Sequence, residues 1–197
     1  ELETSKSRFK AFAAAHGLPT PASRTFTRVD DALAHLREGT PPFVVKADGP
    51  AGGCGVAVCG SLEEARRDLV GKLAPRAGGP AGRVVVEDHV EGFEVAVNVL
   101  IDGTDHLVLP PTKPHKRRFA GDTGPNAAGM GSVAPVGLND RFYRELGSLV
   151  VEPAIAGIRR EGWRYRGCLF INLMLTEHAM WVLELNCRMG QPATLVD

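Results

Sequence analysis

Three clusters of residues have types and spacing suited to phosphate and metal chemistry. The first is Lys46, at the end of the apolar run Phe43-Val44-Val45 and directly before a stretch holding Gly49, Gly52, Gly53 and Gly55. A lysine there supplies a point charge for phosphate oxygens, and glycines let backbone N-H groups approach the same oxygens closely. The spacing is neither a P-loop nor a dinucleotide fingerprint, because a strand and not a helix follows the glycines. The second cluster is Glu184-Leu185-Asn186-Cys187-Arg188. Strand alternation puts Glu184 and Asn186 on one face, giving a hard divalent cation two oxygen ligands, with Arg188 in the same parity for a phosphate. The third is His115-Lys116-Arg117 followed by residues 122–131, where Asp122, Thr123, Gly124, Gly129, Met130 and Gly131 offer exposed amides, a hydroxyl and a carboxylate beside cations. That composition suits a small polar or anionic ligand. Each cluster also has a plainer reading, as a structural turn, a solvated strand end or a solvated basic loop.

The elements that must position these residues can be read from caps and periodicity. Ser5 caps a helix carrying Phe9, Phe12 and Ala13, which Gly17 and Pro19 stop. A short strand over 23–26 and a helix from Asp30 follow, the helix ended by Gly39, Pro41 and Pro42. Strands over 43–46 and 56–59 flank the glycine turn. Ser61 to Glu64 reads as a capping box opening a helix to about Leu73, and residues 74–82 are a Pro/Gly-rich spacer. Strands are predicted over 83–86, 93–102 and 106–109. Residues 110–131 lack periodicity and read as a long functional loop. A helix of about 20 residues, capped by Asn139 or Asp140, runs to Arg160, and two strands over 167–176 and 180–186 meet at a turn on Glu177-His178.

Bulk properties narrow the class without naming it. The 197 residues are 44% hydrophobic and 23% charged, an ordinary globular composition, so disorder and fibrous architectures are excluded. Twenty-three basic residues balance 23 acidic ones, which gives no electrostatic case for nucleic acid or an anionic membrane surface. No apolar run reaches the length of a membrane span, the four cysteines lack metal or disulfide spacing, and a cytoplasmic protein with reduced thiols is expected.

The ordered set SKSRFKAF, VVKADG with its glycine loop, VVVEDHVEGFE, HKR, DTGPN with GMG, and ELNCRMG resembles the glycinamide ribonucleotide synthetases (phosphoribosylamine-glycine ligases), an ATP-grasp family, over nearly the whole chain. The resemblance implies an α+β ATP-grasp fold in which two α+β subdomains grip ATP between antiparallel sheets. Residues 21–82 would form a small lid subdomain, and 1–20 with 83–197 a larger one. Lys10 and Lys46 would contact phosphates under the loop of Gly52, Gly53 and Gly55. Glu87, Asp88 and Val90 would form the adenine hinge, and Glu94 would hold the ribose. Glu184 and Asn186 would bind Mg2+, or Mn2+, and Lys46 with Arg188 would be catalytic. His115, Lys116, Arg117, the 122–131 residues named above and Arg188 would hold the carboxylate and amine substrates, glycine and phosphoribosylamine in the family's reaction. The family also carries N-terminal and C-terminal domains flanking such a segment. Departures from its pattern fall at the same face: Cys54 stands where the family has a lysine, and Gln191 and Ala193 lie where it has carboxylates. Two readings follow, a C-N ligase acting through an acyl phosphate, and a nucleotide-binding or interaction domain that keeps the fold without the chemistry.

Overall fold

The structure, a computed structural model, describes residues 2–49, 55–74, 82–121, 123–127 and 130–191. Its first helix, α1 (Lys6–His16), begins where Ser5 accepts from the amide of Arg8 and ends at Gly17, whose φ of 72° is open to glycine at little cost. Beyond it lie β1 (Ser23–Phe26), α2 (Val29–Leu36), β2 (Phe43–Ala47), β3 (Val56–Cys59), α3 (Leu62–Leu73) and β4 (Val84–Asp88). Ser61 caps α3 by accepting from the Glu64 amide, and the Glu64 carboxylate accepts from the Gly60 amide, so the capping box forms with its return bond one residue early.

These strands form an antiparallel sheet in the order β1-β4-β2-β3. The spacer boundary near residue 82 leaves β4 with the larger unit, whereas β4 pairs with both β1 and β2 in the middle of this sheet. Its apolar residues Val84, Val85 and Val86 are buried from both faces, and a strand of that composition belongs inside a sheet. α2 and α3 cover one face, packing Leu33, Leu36, Leu69 and Leu73 on Val45, Val84 and Val86.

The second sheet, β12-β11-β5-β6, is also antiparallel and is built from β5 (Phe93–Ile101), β6 (His106–Val108), β11 (Gly167–Leu175) and β12 (Met180–Asn186). Alternation sends Val95, Val97, Leu169, Ile171 and Leu173 to a helical face, where they meet Phe9 and Phe12 of α1 and Val150, Ala154 and Ile158 of the long C-terminal helix. Asn98, Phe170 and Asn172 share the opposite parity.

Two expectations differ from what forms. Residues 110–131 are not structureless: β7 (Lys113–Pro114) pairs with β10 (Ser132–Val133), and β8 (Arg117–Phe119) with β9 (Thr123–Asn126). Ladders of two to four residues carry too few apolar positions for alternation to register. The helix at 140–160 is continuous but not uniform: α4 (Asp140–Glu145) and α5 (Glu152–Arg160) are joined by a π-helical segment over Leu146–Val151. Pro153 brings no amide to the ladder, and the Ser148 hydroxyl donates to the carbonyl of Arg144 at 2.9 Å, two local causes of a widened turn.

Candidate functional site

Lys46 is the last but one residue of β2, buried among valines, and an ammonium there requires partners. It has two: the Glu87 carboxylate of β4 at 2.6 Å and the carbonyl of Leu183 in β12 at 3.3 Å. The second contact spans the two sheets. The register between β11 and β12 explains why that carbonyl is free to accept. Asn172 faces Glu184 and Leu173 faces Val182, so Leu183 is the extra residue of a bulge. The same bulge lets Val182 and Leu185 both reach the core while Glu184 and Asn186 turn to the other face.

Glu87 also pairs with Lys10 of α1. Lys10 donates further to Thr20 Oγ1 (2.6 Å) and the Pro21 carbonyl (2.8 Å), and Thr20 in turn donates to the carbonyl of Val182 in β12. Lys10, expected on a phosphate, thus has its ammonium among Glu87, Thr20 and the Pro21 carbonyl in this arrangement. Burial lowers its pKa to about 8 against the opposing pull of Glu87.

Glu184 accepts from Asn172 Nδ2. Burial alone would push its carboxyl pKa up, but Lys116, Lys46, the Asn172 amide and Lys6 together hold it below the ordinary range, so it is an anion. Because a carboxylate only accepts, the amide nitrogen of Asn172 must face Glu184, which leaves the buried Asn172 Oδ1, like Asn186 Nδ2, without a partner among the described residues. One ionised carboxylate with an unpaired amide oxygen beside it is a donor set that fits a hard divalent cation completing its shell with phosphate oxygens and water. Among the described residues no group of three or more His, Cys, Asp or Glu side chains is gathered closely enough to hold a metal ion, so a cation here would rest on Glu184 and amide groups.

Lys116 pairs with Glu94 of β5, joining the residue expected at the ribose to one expected at the substrates. Arg188 Nε donates to Glu3 at 2.9 Å, and its guanidinium lies 6.0 Å over the Phe170 ring. Gly55 takes the Ala47 amide on its carbonyl, and Asp88 donates its amide to Ala22, leaving its side chain exposed beside Val90. His115 bonds through its backbone to Gly131, Arg117 donates to the Gly124 carbonyl at 2.9 Å, and the Thr123 hydroxyl to that of Ala120. Thr123, Gly124 and Met130 are exposed, so of the basic cluster it is Lys116 whose charge reaches Glu184. Gly52, Gly53, Cys54, Asp122 and Gly129 lie outside the described residues.

The sequence pattern does not mark every residue of this region. Lys6, at the first turn of α1, lies close enough to Glu184 and Lys46 to feel both charges, and burial foremost lowers its pKa. Asp48, one residue past β2, accepts from Ser5 Oγ, Ser7 N and Ser7 Oγ and lies 3.5 Å from Arg83. Asn172 and Asn98 are lone amides inside apolar strands, a signal that was legible in VAVNVLI and LFINLML.

Two antiparallel sheets joined through a buried lysine, with an acidic and amide cluster on the second, make an ATP-grasp fold, the fold of the solved structures to which this one is similar. A biotin carboxylase domain from Hydrogenobacter thermophilus, described in complex with MgADP, shares the fold at a TM-score of 0.71 and 21% identity over 98% of this chain and 41% of its own. Residues 4–194 match the family described as phosphoribosylglycinamide synthetase, ATP-grasp (A) domain, and the chain belongs to that family. It is similar to the phosphoribosylamine-glycine ligase of Vibrio cholerae, 42% identical over 98% of this chain and 46% of the relative. The crystal structure of the Thermotoga maritima phosphoribosylamine-glycine ligase superposes with a TM-score of 0.88 at 32% identity, over 98% of this chain and 49% of that one. The chain thus spans about half the length of the relatives it matches.

Proposed function

We propose that the protein carrying this chain is an ATP-dependent carboxylate-amine ligase that joins glycine to phosphoribosylamine, with further domains flanking this segment. The observation that carries it is Lys46 reaching from one sheet to the bulged Leu183 carbonyl beside Glu184, so that a buried ammonium and an ionised carboxylate lie close enough to act on each other. The relatives named for this activity support the choice of substrates.

The chemistry follows from a missing leaving group. The glycine carboxylate attacks the γ-phosphorus of ATP, the β-γ P-O bond breaks, and ADP departs. The phosphoribosylamine nitrogen then attacks the acyl carbon, forming the C-N bond, losing a proton and expelling phosphate. Charge spreads over the transferring phosphoryl oxygens, and Lys46 and Arg188 would balance it. The hinge at Glu87, Asp88 and Val90 takes the adenine and Glu94 the ribose. His115, Lys116, Arg117, Thr123, Gly124, Met130 and Gly131 serve the glycine and the amino sugar phosphate. Glu184 and Asn186 would hold Mg2+, or Mn2+ in its place, which supplies Lewis-acid neutralisation of the phosphates. The first sheet with its helices acts as the lid subdomain and the remainder as the larger one.

In the intact protein, ADP release over many turnovers should require glycine and phosphoribosylamine together. Release that ignores either substrate, or no release with both present, overturns the assignment.

A further inference from the structure

We propose that Asn98 is a positioning residue for Arg188, acting through the backbone of Gly190. The proposal rests on the role given to Arg188 above. Asn98 lies on β5, opposite Phe170 on β11, which is itself opposite Asn186 at the end of β12. Asn98 is therefore two strands away from the segment that carries Arg188. Its Oδ1 nevertheless accepts from the Gly190 amide at 3.2 Å, and from Cys168 Sγ at 3.4 Å. Both partners donate, which fixes the oxygen as the end of the amide that faces them.

For Gly190 to reach Asn98, residues 187–190 must leave β12 and fold back across the sheet over β11. Phe170 is the floor of that crossing. A Cβ on Gly190 would stand 2.2 to 2.6 Å from three atoms of the Phe170 ring, so the loop lies on the ring as closely as a glycine allows. Arg188 is carried over the same ring. The start of the crossing is fixed by Glu3, whose carboxylate accepts from Cys187 N at 3.1 Å and Arg188 Nε at 2.9 Å. The far end is fixed by Asn98. A buried amide in the middle of Val95-Ala96-Val97-Asn98-Val99 is costly without such a task, since an apolar side chain would fill the position. Without the acceptor the loop is free to follow the direction of β12 off the sheet, taking Arg188 away from the face that holds Glu184 and Asn186.

The test uses kcat and KM of the intact protein. Asn98→Leu keeps the volume and loses the acceptor, and it should lower kcat about 10- to 100-fold, the scale of a catalytic group displaced by roughly 1 Å, with the KM for ATP within about threefold of wild type. Asn98→Asp retains an acceptor for the Gly190 amide and should recover most of the loss. Gly190→Ala, which leaves the strands unaltered and lifts the same loop off Phe170, should reproduce it, and it carries the test if Asn98→Leu does not fold. Each is then combined with Arg188→Ala. A residue that works only through Arg188 adds nothing once the guanidinium is gone, so double variants equal to Arg188→Ala alone support the proposal. Losses that multiply overturn it, as does full kcat in both Asn98→Leu and Gly190→Ala when Arg188→Ala is impaired. Wild-type kcat in Arg188→Ala would instead remove Arg188 from the chemistry, and the proposal with it.

Discussion

At the scale of single residues, the site is a set of buried charges that balance only together. Lys46 is held between the Glu87 carboxylate and the Leu183 carbonyl, so its ammonium stays at one place, preorganised for the phosphate role proposed for it. Lys46→Ala should weaken ATP binding by about 1.5 to 3 kcal/mol, the worth of a charge-assisted bond, and equal calorimetric affinities for variant and wild type would remove Lys46 from the phosphate site. Glu184 is kept ionised by three lysines and an amide. Glu184→Gln removes the charge while keeping the shape, so the Mg2+ concentration giving half-maximal binding of Mg-ATP should rise by roughly tenfold or more. An unchanged magnesium dependence in a titration would exclude Glu184 as a ligand. These two residues could be read from local pattern, because a lysine before glycines and an acid two positions from an amide on a strand are short-range signals. Lys6 and Asp48 could not, since what defines each is a partner far away in sequence, such as Ser7 for Asp48.

Between elements, the Asp48 cluster ties the end of β2 to the first turn of α1. Its carboxylate gathers the Ser5 hydroxyl and both the hydroxyl and the amide of Ser7, close to the positive end of the helix. Burial would raise its pKa, but these hydrogen bonds and Arg83 outweigh it and hold the value below the usual 3.8. The sign of the linkage follows. The unfolded chain takes up a proton at this position first, so the stabilisation is fully present above the unfolded value and is lost as pH falls through the folded one. Asp48→Asn should cost about 1 to 3 kcal/mol at pH 7, allowing for partial exposure, and the gap between variant and wild type should narrow toward pH 3. Urea unfolding at the two pH values measures it, and a gap of equal size at both would show that Asp48 acts without its charge. The element boundaries themselves were legible where a cap or a period of two or 3.6 marks them, as at Ser5, Ser61, Asn139 and the β11-β12 hairpin. They were illegible at 113–133, where paired segments of two to four residues bury little, and at 146–151, where the chain stays helical and only the hydrogen-bond spacing changes.

The described residues form two large apolar cores, one beneath each large sheet. The contacts between the sheets around the site are polar: Lys46 on Leu183, Lys10 linking Glu87 to Thr20, and Asp48 on the serines of α1. Hydrophobic burial dominates within each unit, and hydrogen bonds worth about 1 kcal/mol apiece join them. The two cores should therefore respond separately to damage. Leu69 and Ile171 are both fully buried, one in each cluster, and truncating either to alanine should cost about 2 to 5 kcal/mol. Leu69→Ala should lower amide protection in β1 to β4, α2 and α3 by more than in β5, β11 and β12, because the first sheet can open while the second stays packed on α1 and α5. Ile171→Ala should lower protection in both, since α1 and β12 supply the partners that Lys46, Glu87 and Asp48 need. Hydrogen exchange on the intact protein resolves the pattern strand by strand. A uniform fall in protection after Leu69→Ala would mean that the polar contacts bind the two cores into one cooperative unit.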